Sequence, residues 1–394
     1  MRIAHIATSL HGGAGIAAFR IHESLIQSNV CSSLFTLSGP AELTSHAKVF
    51  LLKRSTIEKT ISKIATVTQE KLVQRTKQLF TPISIHTEGI SRISDFDLIH
   101  LHNIYNMTNL KQVSHLFGQV PIVLTLHDMR NFTGGCHYSC GCKKFKEDSC
   151  VECPQSHSIF QPLVKKKMDE EIQLSRTFSR IAIAAPSKWI LEHVRCSTMW
   201  NNRPARLIHN PIPNPSRTIS QRTKNSINQI GFISPSLHNP YKGFSVLSEA
   251  LASLPKSWWK LNKVLFVGEG VLPNFLPSSR IERVPSRHPQ EMMSLYKQLD
   301  FLVIPSIQDN FPNIIGEAAV HGVNLILSDV GGLPEAAEMF GFQMFESGNP
   351  KSLTRCLLNL RKIEKPYLIA NAQDIFSYQR ASHAYQELYN LIVS

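Results

Sequence analysis

The sequence predicts an α/β protein built as two doubly wound halves, each a parallel sheet covered by helices. Three observations carry that expectation. Short apolar runs alternate with longer amphipathic stretches along the chain, and the runs are apolar on both faces, as strands buried in a parallel sheet must be. The alternation stops once, at a proline-rich polar segment, and then restarts. At 394 residues the chain also exceeds what one hydrophobic core usually supports.

In the first half the strand-like runs are RIAHIATS (2–9), SSLFTLS (32–38), FDLIHLHN (96–103), PIVLTLHD (121–128), IAIAAPS (181–187) and ARLIHN (205–210). Helical patterns such as AAFRIHESLIQS (17–28) lie between them and give βαβ units. NPIPNPSRTISQRTKNS (210–226) has three prolines and no apolar periodicity, so it reads as a linker. The second set of runs is QIGFIS (229–234), KVLFVGEG (263–270), RIERVPS (280–286), DFLVIPS (300–306) and NLILSD (324–329). Ligands are expected at the carboxyl ends of these strands, in a crevice the two halves face.

Apolar residues make up 42% and charged residues 18%, the balance of a soluble globular protein. No run approaches the roughly 18 apolar residues of a membrane span. MRIAHIA soon meets polar residues and glycines and lacks the features of a signal peptide, so a cytoplasmic location is expected, with the eight cysteines reduced unless they bind metal. Net charge is +13: residues before Pro204, that proline included, carry 24 basic and 15 acidic groups, +9, which leaves +4 for the rest. KLVQRTKQLF (71–80) and VKKKMDEE (164–171) are the basic clusters, of the kind that attract anionic membrane or nucleic acid. The acids that follow the second cluster at helical spacing also fit a solvated helix face.

Gly12 and Gly13 follow the first strand and open a helix, where backbone can approach an anion. The spacing is not that of a dinucleotide fingerprint, and a glycine turn that only closes a tight βα junction fits as well. VGEG (267–270) and GGLPE (331–335) follow strands in the second half. Asp309 and Glu317 stand on either side of an Asn-Phe-Pro-Asn turn. Local capping and helix-dipole roles are open to both. Pointing into one crevice, they would instead accept hydrogen bonds from hydroxyls on both sides of a phosphate, and a sugar nucleotide is such a ligand. The string DFD (95–97) directly precedes an apolar strand and reads as turn chemistry, so no catalytic divalent ion is expected.

Five cysteines fall within FTGGCHYSCGCKKFKEDSCVECPQ. Cys150-x-x-Cys153 has the knuckle spacing of a zinc site, and Cys136 or Cys140 with Cys142 supplies a second pair. The expected ligand set for a structural zinc is Cys136, Cys142, Cys150 and Cys153; reduced thiols, disulfides and redox sensing are the alternatives.

YKGFSVLSEAL (241–251), KVLFVGEG, SLYKQLDFLVIPSIQDNFPNIIGEAAVHG (294–322) and LILSDVGGLPEAAE (325–338) together resemble the donor-binding half of the retaining GT-B glycosyltransferases of family 4. The E-x7-E element of that family appears here as Asp309-x7-Glu317. The glycine turn, DLIHLHN, VLTLHD and APSKWI fall in the family's order, so the resemblance covers nearly the whole chain. FTGGCHY and CP resemble elements of a subset in bacterial exopolysaccharide, capsule and O-antigen synthesis, the colanic-acid type of group 1 enzymes.

The resemblance implies a GT-B fold of two Rossmann-like domains: an acceptor-binding domain over 1–208, joined by a C-terminal helix at about 376–394, and a donor-binding domain over 209–375. It implies that Glu317 holds the nucleotide ribose, Asp309 contacts sugar hydroxyls, and the backbone of Asn310, Phe311, Pro312 and Asn313 faces sugar and phosphate. Lys242 neutralises the diphosphate, Gly12 and Gly13 approach it from the other domain, and His127 lies beside the donor sugar. The arginine that many relatives carry shortly before the lysine is missing from GFISPSLHNPYKG, which leaves Lys242 with His238 or backbone, and the first acid is Asp rather than Glu. The expected activity is retaining transfer of a sugar from a UDP- or GDP-sugar to a hydroxyl of a saccharide or lipid-linked acceptor in envelope polysaccharide synthesis. Front-face displacement would let the leaving phosphate take the acceptor proton, so neither Asp309 nor His127 has to be a base. The protein would attach peripherally to the inner face of an anionic membrane. Two other readings are a GT-B sugar-nucleotide epimerase and a zinc-bearing nucleic-acid-binding protein, although the chain lacks the aromatic-basic interleaving that stacking on single strands needs.

Overall fold

The computed structural model describes residues 1–73, 80, 83, 87–93, 95–147, 150–215, 227–286 and 289–393. The chain divides into two compact units, Met1–Pro211 with Tyr378–Ser394, and Ile212–Ser377. The linker expected at 210–226 and the basic cluster expected at 71–80 lie for the most part outside the described residues.

The first unit holds a seven-stranded sheet of β1 (Arg2–Ala7), β2 (Cys31–Thr36), β3 (Val49–Leu51), β4 (Leu98–Leu101), β5 (Ile122–Thr125), β6 (Ile181–Ala185) and β7 (Ala205–Leu207), in the order β3-β2-β1-β4-β5-β6-β7. The second holds six strands, β8 (Asn228–Ser236), β9 (Asn262–Glu269), β10 (Ile281–Val284), β11 (Phe301–Ile304), β12 (Asn324–Ser328) and β13 (Gln343–Phe345), in the order β10-β9-β8-β11-β12-β13. Every pairing is parallel. The chain winds outward from β1 and returns to β4, then does the same from β8 to β11, so each sheet has one switch point where ligands are met. β3 and β13 are three-residue edge strands: β3 (VFL) is apolar but very short and β13 (QMF) has no apolar run of its own, so neither stands out as a strand in the sequence.

The buried strands read as expected: β4, β5, β6, β11 and β12 are buried at every position. The helix Gly12–Gln27 packs beside β1, and the C-terminal helix Tyr378–Val393 closes that side of the first unit: Tyr385, Leu388, Tyr389 and Ile392 join Ile3, Leu25, Leu98 and Val123 in one core cluster. Asp97 of the DFD string takes the Arg2 amide at 2.6 Å and stays at the strand start. In the helix Gln161–Thr177 the basic cluster pairs with its own acids, Lys165–Asp169, Lys166–Glu170 and Lys167–Glu171, each one turn apart. The first two pairs lie on the solvated face, Lys167 and Glu171 are largely buried, and the cluster is largely neutralised along its own length.

Candidate active site

In the second unit the acids sit where β11 ends. Asp309 is buried, 4% exposed, and its carboxylate accepts from Lys242 Nζ at 2.6 Å and Ser306 Oγ at 3.1 Å on Oδ2 and from the Asn310 amide at 3.2 Å on Oδ1. Lys242 comes from the turn after β8, which the Ile307 amide ties to the end of β11 by donating to the Tyr241 carbonyl at 2.7 Å. Gly243 then opens the helix Phe244–Ala252 at φ +67°; a Cβ there would lie 1.7 Å from the Pro305 carbonyl, so only glycine lets this turn close on β11. The ion pair was not legible in the sequence, because 67 residues separate its partners.

Glu317 lies in the short helix Ile314–Ala319, and its Oε2 accepts the Tyr296 hydroxyl at 2.7 Å. Its carbonyl meets His321 Nδ1 at 2.7 Å, and the His321 ring stacks on Tyr296. Tyr296 is thus the support of the carboxylate; the sequence contains it in SLYKQLD without any local sign of that role. Asn310 is buried, Pro312 and Asn313 are half-buried, and Asn313 is the N-cap of the helix without a side-chain cap bond. The Phe311 side chain lies in the core against Phe376. His238 Nε2 takes the Val271 amide at 3.3 Å, so this histidine supports the turn after β9.

In the first unit, Gly12 and Gly13 begin the helix Gly12–Gln27 behind His11, which makes no side-chain cap. His127 follows β5 and lies at one end of a row of imidazoles: His5 Nδ1 to His102 Nε2 at 2.9 Å, and His102 Nδ1 to His127 Nε2 at 3.2 Å. His100 stacks on His102 with ring centroids 4.2 Å apart and bonds the Tyr389 hydroxyl and Thr125 Oγ1. Burial holds His5, His100 and His102 well below the ordinary histidine range. His127 keeps some surface in solvent, yet the protein around it lowers its pKa to about 4. The row stays neutral at pH 7.

Beside it lies a cluster of charged and aromatic side chains without any local signature in the sequence. Asp128 Oδ2 meets His137 Nδ1 at 3.2 Å, His137 Nε2 meets Arg130 Nη1 at 3.1 Å, and the Arg130 guanidinium lies over the Tyr105 ring and bonds Asn103. Burial would raise the Asp128 carboxyl, but Arg130 and His137 hold it below its ordinary value.

Cys136, Cys150 and Cys153 are buried, Cys142 is half-buried, and all four line one pocket with Thr133 and Phe145, whereas Cys140 is exposed. The Gly134 amide donates to Cys150 Sγ at 3.2 Å. Cys136 and Cys153 share a hydrogen bond that raises the first thiol and lowers the second. Among the described residues, three donor atoms lie within 4.8 Å of one another in only two groups, His5–His100–His102 and His22–Glu23–His46; the four thiols are not drawn that close. In the first group His102 uses both nitrogens within the row, His5 uses Nδ1 there, and the His100 nitrogens bond Tyr389 and Thr125; in the second His46 Nε2 faces Glu23 at 3.0 Å.

Residues 227–362 match the family model described as Glycosyl transferases group 1. The chain is 23% identical over 384 residues to WcaC of Escherichia coli (strain K12), described as a colanic acid biosynthesis glycosyl transferase, a span that covers 93% of this chain and 89% of that protein. In fold it is similar to the sucrose-phosphate synthase of Thermosynechococcus elongatus, with TM-score 0.66 and 15% identity over 99% of this chain and 98% of the other. It is also similar to HepE of Anabaena in complex with UDP, with TM-score 0.62 and 16% identity over 99% and 100%. Two parallel α/β units of this kind are the GT-B architecture. Residues 227–362 are therefore a glycosyl transferases group 1 domain, and the chain is a glycosyltransferase of GT-B fold.

Proposed function

We propose that the protein is a retaining enzyme of family 4 that transfers a sugar from a UDP- or GDP-sugar to a hydroxyl of a saccharide or lipid-linked saccharide in envelope polysaccharide synthesis. The observation that carries this reading is the grouping of Lys242, Asp309 and Glu317 where β8 and β11 end, inside the matched domain. Glu317, braced by Tyr296, takes the ribose hydroxyls. Asp309 takes hydroxyls of the sugar, and the backbone of 310–313 meets sugar and phosphate. Lys242 offsets the charge that grows on the leaving diphosphate, the largest electrostatic demand of the reaction. In the first unit His127 is assigned to the donor sugar and Gly12 and Gly13 to the diphosphate. Support for the donor class comes from HepE, whose structure holds UDP, and support for the polysaccharide role from the name of the Escherichia coli relative.

No divalent cation has a part in the reaction as proposed. A structural zinc is assigned to Cys136, Cys142, Cys150 and Cys153, on the chemistry of four thiols around one pocket and the amide already placed on Cys150 Sγ. Coordination would draw the four sulfurs toward one another. Peripheral attachment to an anionic membrane is assigned to the helix Thr56–Thr68, where Ile57, Ile61, Ile64 and Val67 form an exposed stripe flanked by Lys59 and Lys63. Among the described residues no helix is long and apolar enough to cross a membrane.

Calorimetric titration with a panel of UDP- and GDP-sugars tests the central reading. One nucleotide sugar should bind, Glu317→Ala should lose most of that affinity, and Tyr296→Phe should lose about 1 kcal/mol of it, the net worth of one hydrogen bond to the carboxylate. No binding by the wild type, or equal binding by Glu317→Ala, overturns it.

A further inference from the structure

We propose that His102 is a positioning residue for His127: a row of imidazoles ending at His5 fixes His127 in the tautomer that carries its hydrogen on Nδ1. The two contacts, 2.9 Å from His5 to His102 and 3.2 Å from His102 to His127, are both nitrogen to nitrogen. A neutral imidazole has one N–H and one lone pair, so each contact needs a donor on one side and an acceptor on the other. His102 sits in the middle and has to donate with one nitrogen and accept with the other. Only two arrangements of the row satisfy that, and they differ in the tautomer of all three rings together.

In the first, His5 Nδ1–H donates to His102 Nε2 and His102 Nδ1–H donates to His127 Nε2. In the second, every hydrogen moves to the other nitrogen and the donation runs from His127 back to His5. The buried end decides between them. His5 is fully buried and its Nε2 meets no partner. The second arrangement would leave a buried N–H orphaned there, whereas the first leaves only a lone pair, and orphaned buried donors are the rarer and costlier case. The first arrangement therefore holds, and His127 accepts at Nε2 and carries its hydrogen on Nδ1. This is the opposite of the tautomer that histidine favours in water.

His100 does not compete for the row, because its nitrogens are taken by Tyr389 and Thr125 and it touches His102 only by its face. The hydrogen His127 can offer is then on Nδ1, and the ring acts as a fixed donor to an oxygen rather than as a base. That consequence for turnover rests on the reading of His127 as the residue beside the donor sugar; the tautomer itself does not.

Imidazole 1H–15N NMR on the full chain without ligand, at pH 7, tests it, with His127 identified by the signals missing in His127→Gln. The wild type should show His127 with hydrogen on Nδ1 and a 15N–15N coupling through the hydrogen bond between His102 Nδ1 and His127 Nε2. His102→Phe should let the His127 ring relax toward hydrogen on Nε2, and His102→Gln, whose amide can donate in place of the ring, should restore the wild-type form. With a nucleotide sugar that binds, His102→Phe should lower kcat by about five- to tenfold, in line with the smaller fraction of competent tautomer, and leave KM for the donor nearly unchanged. Hydrogen on Nε2 in the wild type, absence of the coupling, or a His127 ring unchanged in His102→Phe overturns the proposal. Should His102→Phe not fold, the wild-type tautomer and coupling decide alone. If no nucleotide sugar binds, the functional reading falls while the NMR result stands.

Discussion

Lys242 Nζ lies 2.6 Å from Asp309 Oδ2, and the carboxylate it holds is buried. The lysine assigned to the diphosphate and the acid assigned to the sugar are thus partners of each other before any ligand arrives. On the proposed reading, a diphosphate would have to draw the ammonium away from Asp309, and a sugar hydroxyl would have to replace what the carboxylate loses.

Breaking this pair from either side has different outcomes. Lys242→Met takes the ammonium away from a buried carboxylate, and should destabilise the second unit by about 1–3 kcal/mol in chemical denaturation. Asp309→Asn removes the competitor for the lysine, so free UDP or GDP should bind tighter by about 1 kcal/mol, roughly fivefold, while the nucleotide sugar should not. Calorimetry on both ligands checks this; weaker binding of the free nucleotide by Asp309→Asn counts against the arrangement.

Gly331 is the backbone support of Asp309. It has φ +59°, and a Cβ there would stand 1.6 Å from the Asp309 carbonyl. Gly331→Ala should cost about 3 kcal/mol or more, the left-handed conformation and the forced displacement together. Gly341→Ala is the control: φ is +77° but nothing lies within 4 Å, so only about 1–2 kcal/mol is expected. Urea midpoints of the two variants should separate clearly.

The neutral imidazoles make the first unit acid-sensitive. Burial lowers His22 to about 3 and His127 to about 4, and puts His5, His100 and His102 well below 6.5. Below 6.5 the unfolded chain binds protons that the folded one refuses, so stability is full above that pH and is lost as pH falls from 6.5 toward 4. Each such histidine contributes about 1.4 kcal/mol per pH unit in that window. The melting temperature should be flat from pH 7 to 8 and fall steeply between 6 and 4; a flat profile down to pH 4 contradicts the neutral row.

Metal analysis of purified protein should give one zinc per chain. Chelation should free four thiols to a thiol reagent, and Cys150→Ser should lose the metal and lower the stability of the first unit. No zinc, with all eight cysteines titrating in the untreated protein, removes the site.

Vesicle sedimentation tests the membrane surface. The wild type should pellet with anionic vesicles and not with neutral ones, and Ile61→Ser with Ile64→Ser should abolish that binding through the loss of buried apolar area. Equal recovery with both vesicle types rules the surface out.

Much of the fold was legible because its signals are local. Runs apolar on both faces, such as IVLT and FLVI, can only be covered strands, and the glycine turns after them follow from backbone geometry. The motifs around Asp309 and Glu317 pointed to a glycosyl transferases group 1 domain for the same reason: their residues are consecutive in the chain. Tertiary structure alone decided what those residues touch. Lys242 on Asp309, Tyr296 on Glu317 and His5–His102–His127 join positions 67, 21, 97 and 25 residues apart, and parallel sheets bring such positions together only through crossovers. Composition and periodicity report burial. They do not say which buried polar group finds which partner, and in this chain those pairings decide whether a lysine is occupied and which nitrogen of a histidine carries its hydrogen.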